Sequence, residues 1–148
     1  MTEEPTERAT IGRMINLIAR RWRQRLDERL QPFDLTDALW LPMLEIKRQG
    51  GALHPKEIAD ALRLDKSTMV RTLRTLEDRG FVIKTPDEAD RRAYYVTLTE
   101  EGISRLDDVL RLSRIIEDRV LRDIPDIELG TLRRLLGTIH AVLEEDGR

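Results

Sequence analysis

Three residues, Arg63-Leu64-Asp65, separate two segments of helical periodicity, and that short spacer constrains the fold more than any other feature of the chain. Before it, Lys56 to Leu62 carries Ile58, Ala59 and Leu62 on one side, and His54-Pro55 opens the segment, a proline being suited to a first turn. After it, at about 100° per residue, Met69, Val70, Leu73 and Leu76 fall on one face, whereas Ser67, Thr68, Arg71, Arg74 and Thr75 fall on the other. Asp65 stands at the N-cap position and Gly80 at a left-handed stop, bounding a helix of roughly four turns. The pattern is a helix-turn-helix, with Leu64 expected as a buried plug and the small Ala59 at the crossing. Arg63 must then take a turn conformation that glycine or asparagine reaches more cheaply, by about 1 kcal/mol.

Two β-rich runs follow at once. Phe81 to Lys84 and Tyr94 to Leu98 flank turn chemistry running from Pro86 and Asp87 to Arg92, which predicts a hairpin. Tyr94 and Tyr95 fall on opposite strand faces, so one is expected to pack beneath the hairpin and the other to be exposed. A helix-turn-helix followed directly by a hairpin is a winged helix.

The flanks are helical. Ile11, Met14, Ile15, Ile18, Trp22, Leu26 and Leu30 repeat along a first helix expected from Thr6 to about Leu30. A second begins at Leu35-Thr36-Asp37 with Thr36 as N-cap and Trp40, Leu44 and Ile46 as its apolar set; Pro42 implies a kink or a later start. Beyond the hairpin, Thr99 caps a long helix to about Arg122, with Glu100 and Glu101 favourable at its positive end and Ile103, Leu106, Leu110, Ile116 and Val120 on a stripe. Ile124-Pro125-Asp126 breaks it before a last helix bearing Leu129, Leu132, Leu136, Ile139 and Leu143. The fold expected is mainly α, with six helices and a small β-hairpin wing. It divides into a dimerisation helix over 1–34, a winged helix-turn-helix lobe over 35–98, and further dimerisation helices over 99–148. The two chain ends carry more apolar surface than one small lobe can cover, and a homodimer is the economical answer.

Composition removes other classes. The 148 residues are 40% apolar and 36% charged, which suits a folded domain. No run approaches the roughly 20 apolar residues that span a bilayer, and Met1-Thr2-Glu3-Glu4-Pro5 lacks a secretory profile, so a cytoplasmic protein without membrane partners is expected. There is no cysteine, and His54 and His140 are the sole imidazoles, which leaves little for a metal site. With no phosphate-cradling glycine loop and no converging carboxylates, neither an enzyme nor a cofactor is expected. Net charge is −2, but arginine outnumbers lysine 22 to 4, and a guanidinium grips a phosphate or a guanine edge with two hydrogen bonds. Distribution therefore matters more than the sum, and the second helix of the pair carries basic and hydroxyl side chains on one face.

Asp90-Arg91-Arg92-Ala93-Tyr94-Tyr95-Val96-Thr97-Leu98-Thr99-Glu100-Glu101-Gly102 resembles the wing-to-helix signature of the MarR family of bacterial transcription regulators. Ser67 to Leu73, followed by Leu76-Glu77-Asp78-Arg79-Gly80, looks like that family's recognition helix, and Trp22-Arg23, Leu35-Thr36 and Trp40 look like its SlyA branch. The resemblance implies a homodimeric repressor of double-stranded DNA, with the recognition helix in the major groove and a wing arginine in the minor groove. Arg71 is then the main base reader. Lys66, Ser67, Thr68, Arg74 and Thr75 lie on the same helix for base-edge or phosphate contacts, Arg92 is the minor-groove residue, Arg91 a phosphate contact, and Asp90 holds the loop. It also implies a small phenolic or carboxylate effector, for which Arg20, Trp22 and Trp40 offer a guanidinium and aromatic surface.

Plainer readings of the same residues exist. Arg71 and Arg74 can pair with Glu77 and Asp78 along the helix, Asp90-Arg91-Arg92 can be an ordinary turn, and the tryptophans can be core. A winged helix used as a protein-interaction module, without sequence-specific DNA binding, is the alternative function.

Overall fold

The computed structural model describes residues 10–147; the part of the first helix expected before residue 10 lies outside them. Along the chain run α1 (Ile11–Leu30), α2 (Asp37–Arg48), β1 (Ala52–Leu53), α3 (Pro55–Leu62), α4 (Lys66–Asp78), β2 (Val82–Pro86), β3 (Tyr94–Leu98), α5 (Glu100–Leu121) and α6 (Asp126–Asp146), with a 3-10 turn at Gln31–Phe33. The chain divides into two compact units between Ser113 and Arg114.

In the first unit, Met43 and Ile46 of α2, Ile58 of α3, and Met69, Leu73 and Leu76 of α4 are all wholly buried together with Val96 of β3. Each such side chain contributes about 1.5–3 kcal/mol by leaving water, so the apolar stripe of α4 fixes that helix against its neighbours. Leu26 and Leu30 of α1 and Leu106 and Val109 of α5 are also buried. The sheet is antiparallel in the order β1-β3-β2. Ala52 and Leu53 pair with Thr97 and Val96, and β2 pairs along the whole of β3 from Val82↔Leu98 to Pro86↔Tyr94. β3 is therefore the middle strand, with β2 on one side of it and β1 on the other.

Several sequence expectations change. The helix-turn-helix spacer closes through the backbone: Arg63 adopts φ +53, and the Leu64 N–H reaches the Ala59 carbonyl at 2.9 Å. Leu64 is no buried plug, because this closure leaves its side chain 41% exposed. Val70 also leaves the core, at 38% exposed. It lies about 100° round the helix from Met69, beyond the stripe that Met69, Leu73 and Leu76 define. In α2 the core residues are Leu39, Pro42, Met43 and Ile46, while Trp40 and Leu44 are half-buried. Pro42 sits inside a helix that starts at Asp37, so the later start is not adopted. On α5, Ile103 and Val120 are exposed and Val109 is buried in their place. Tyr94 and Tyr95 are both half-buried, since each has its own cover: Lys84 lies over Tyr94, and the His54 ring lies on Tyr95.

The second unit contains α6. No residue of α6 is buried, and Ile127, Leu135, Leu136, Val142 and Leu143 all stand exposed. Exposed apolar residues also line the start of α1, at Ile11, Met14, Leu17 and Ile18.

Candidate nucleic-acid interface

Helix α4 is fixed at both ends before any partner arrives. Asp65 accepts the Thr68 N–H at 2.8 Å, and the Thr68 hydroxyl donates to the other carboxylate oxygen. These two bonds, hydroxyl first, hold the Asp65 carboxyl below the ordinary aspartate range, with the Arg71 charge as a smaller cause. The cap's contribution is thus fully present above the ordinary aspartate value and is lost only as pH falls through the lower one. Gly80, at φ +76, ends the helix, and Arg79 donates to the Asp34 carbonyl while pairing with its carboxylate at 3.0 Å.

Between these ends, Lys66, Ser67, Val70, Arg71 and Arg74 face solvent. Thr68 and Thr75 are half-buried and partly committed: Thr68 to the cap, and Thr75 by donating its hydroxyl to the Arg71 carbonyl at 3.2 Å. Arg71 Nη2 leans on the Thr68 hydroxyl at 3.4 Å. Among the described residues, no carboxylate lies within ion-pair distance of Arg71, Arg74, Arg91 or Arg92. Glu77, the expected helical partner, pairs with Lys84 of β2 instead.

The wing tip is an Asx turn. Asp90 Oδ1 accepts the Arg92 N–H at 3.0 Å, its carbonyl accepts the Ala93 N–H, and Asp87 closes the base by donating its N–H to the Ala93 carbonyl. Arg91 and Arg92 are left pointing into solvent from a rigid tip. One groove, about 510 Å³ in volume, is lined by Lys66 and Val70 of α4, by Asp90 and Arg92 of the wing, and by Lys56 of α3. Helix and wing therefore share a surface on which Lys56, Lys66 and Arg92 stand beside the carboxylates of Glu57, Asp87 and Asp90. Lys56 and Val70 belong to it although the sequence pointed to neither. His54 and Asp87 were also missed, and they form a contact at the wing base: His54 Nε2 is 3.3 Å from Asp87 Oδ2.

Residues 33–93 match the MarR family. Over that span, which runs from the start of α2 to the hairpin turn, the lobe is similar to the MarR family. Solved structures extend the MarR likeness over the chain. A cysteine-to-serine mutant of MarR from E. coli, complexed with operator DNA, is 25% identical over 93% of this chain and 99% of that one, with a TM-score of 0.78. A further MarR crystal structure is 28% identical over 91% and 98%, at 0.77. A MarR protein from Peptoclostridium difficile DA00132, 19% identical, shares the fold over 99% of this chain and 95% of that one, at 0.83.

Arg20, Trp22 and Trp40 are the residues expected around an effector. Arg20 lines an open groove with Arg23, Gln24, Asp27, Asp34 and Thr36, but Trp22 and Trp40 do not line it. Arg23 pairs with Asp37 at 2.8 Å, and burial, then the Asp27 charge, raises the Asp37 carboxyl above its ordinary value against the pull of Arg23. Asp37 Oδ1 and Trp40 Nε1 are both buried without a hydrogen-bond partner. Among the described residues, no group of three or more metal-ligating side chains converges, and no helix is long and apolar enough to cross a membrane.

Proposed function

We propose that the chain is a cytoplasmic, homodimeric, sequence-specific repressor of transcription that reads a pseudo-palindromic operator. The observation that carries this reading is the single groove to which Lys66 and Val70 of the recognition helix and Arg92 of the wing all contribute. Unpaired guanidinium groups on the exposed face of α4 and on the wing suit adjacent grooves of a duplex, with Arg71 and Ser67 at base edges, Arg74 and Arg91 on phosphates, and Arg92 in the minor groove. Thr68 and Thr75 support the face from its rim, and Asp90 shapes the turn. The bare apolar residues of α1 and of α6 support a dimer, whose two recognition helices sit about 34 Å apart to match half-sites one turn apart. Release by a small aromatic acid, with Arg20, Trp22 and Trp40 as its site, and a place in the SlyA branch complete the reading. These last two rest on residue chemistry, and Asp27 and Asp34 beside Arg20 oppose an acid there.

Selection of bound duplexes from a random pool tests the proposal. A two-fold consensus with half-sites about one turn apart is expected; recovery of unrelated sequences favours the protein-interaction module.

Val70 supplies a second, narrower expectation. An apolar side chain on a base-reading face suits the thymine methyl group. Replacing thymines of the selected operator one at a time by deoxyuridine should weaken binding about fourfold at one position per half-site, the worth of one buried methyl at about 0.8 kcal/mol. Val70→Ala should erase that position's effect. Equal sensitivity in both proteins, read by fluorescence anisotropy, removes Val70 from base reading.

A further inference from the structure

We propose that Arg79 is a positioning residue: its clasp on Asp34 fixes the angle between α1 and the recognition helix, and so sets which half-site spacing the homodimer accepts. The inference rests on the dimeric, DNA-binding reading above and adds a determinant of its specificity.

The joint between α1 and α2 is short and held from outside. Leu30 and Leu35 are buried at its two ends, and between them the chain makes the 3-10 turn and then Asp34, a non-glycine residue at φ +53. Arg79, at the C-terminal cap of α4, donates from Nη1 to the Asp34 carbonyl, and its Nη2 pairs with the Asp34 carboxylate at 3.0 Å. Arg105 of α5 lies over the neighbouring Phe33 ring at 5.6 Å, and Arg23 of α1 meets Asp37 at the start of α2. The Asp34 side chain is 87% exposed, so its ion pair adds little to stability. What the clasp supplies is direction: one planar guanidinium meets the backbone and the side chain of a single residue, and turning the joint breaks both contacts. Arg79 also lies beyond Thr75, the last candidate DNA contact on α4, and its head is committed to the joint.

Helix α1 is a lever on that joint. Its exposed apolar residues, Ile11, Met14, Leu17 and Ile18, lie at the end remote from Leu30 and carry the proposed dimer contact. At about 1.5 Å per residue, Met14 stands roughly 24 Å from Leu30, so a turn of about 10° at the joint moves it by roughly 4 Å. One base pair rises about 3.4 Å. Loosening the joint therefore lets the two recognition helices reach half-sites one base pair nearer or farther apart.

Anisotropy titrations of the full chain on the selected operator, with its spacer shortened or lengthened by one base pair, test this. The wild type should bind the altered spacings about tenfold more weakly, a loss of the size that one mismatched pair causes. Arg79→Ala should lose only about twofold, the remainder coming from the added twist; the fivefold relief is about the most that an exposed ion pair supplies. Arg79→Lys keeps the charge but lacks the fork, so it should keep most of that relief. On a duplex with a single half-site, Arg79→Ala and the wild type should bind alike, which separates positioning from damage to α4. An unchanged spacing penalty in Arg79→Ala, or weaker binding to the single half-site that accounts for the whole effect, overturns the proposal. A measurement on the free protein keeps this apart from failure of the DNA reading. The chain has no cysteine, so Arg13→Cys and Ser67→Cys together place one spin label on α1 and one on α4. Diluted with unlabelled protein, this pair should give one narrow distance by double electron–electron resonance, and a wider spread once Arg79→Ala is added. Equal widths overturn the proposal whether or not DNA binds.

Discussion

Gly102→Ala should destabilise the protein by about 3 kcal/mol, the upper end of the usual cost of overpacking, and lower its melting temperature by on the order of 10 °C. Gly102 is buried in the first turn of α5, where the helix begins against the turn that follows α4. A Cβ built on it overlaps the Phe81 carbonyl oxygen and lies 2.9 Å from the carbonyl carbon. Backbone cannot rotate away as a flexible side chain does. The same carbonyl accepts the Thr99 N–H at 3.0 Å, while Thr99 Oγ1 donates to the Gly80 carbonyl and accepts the Gly102 N–H at 3.0 Å. Moving Phe81 to admit a methyl group therefore strains the junction that joins α4, the sheet and α5. Gly130, exposed on α6 with nothing within 4 Å of its missing Cβ, is the control. There alanine should stabilise by roughly 0.5–1 kcal/mol through helix propensity alone. Thermal melts followed by circular dichroism compare the two, and a Gly102→Ala protein that melts with the wild type removes the close-approach account.

What the sequence made legible was local. The bounds of α4 could be read because Asp65 and Gly80 are next to the helix they bound, and both act as their chemistry suggests. The Asx turn at Asp90 spans two residues and was equally readable. Periodicity assigned Met69, Leu73 and Leu76 to the core correctly but carried Val70 in with them, because a stripe drawn on a wheel has no edge until its neighbours are known. β1 escaped notice since two residues cannot show alternation; Ala52-Leu53 is a strand only because β3 offers a free edge. His54 was set aside as a metal ligand because it is one of only two imidazoles, and its contact with the wing was not legible because its partner Tyr94 lies 40 residues further on. Pairings of that range arise from the fold and leave no mark on the residues around either partner.

Arg71→Ala should cost about 1–3 kcal/mol on the selected operator, five- to 150-fold in affinity, and should relax base preference at one position of each half-site. Arg71 shares two features with Arg74 and has a third of its own, and the third sets its expectation higher. The side chain is exposed on the face opposite the buried stripe, no described carboxylate competes for it, and Nη2 already rests 3.4 Å from a Thr68 hydroxyl that is itself bonded to Asp65. A guanidinium held in this way loses less freedom when it meets a base than one free in solvent. The decisive comparison is Arg71→Lys. Lysine keeps the charge but lacks the planar fork that engages O6 and N7 of guanine together, so base reading through Arg71 requires that lysine fail to restore the preference. If the residue served only to neutralise phosphate, Arg71→Lys would bind as the wild type does, and Arg71→Ala would weaken all sequences alike while lowering the salt dependence by one counterion. Anisotropy titrations on cognate and mismatched duplexes at two salt concentrations separate these outcomes, and the second pattern would remove Arg71 from the base-reading set while leaving it on the DNA-binding surface.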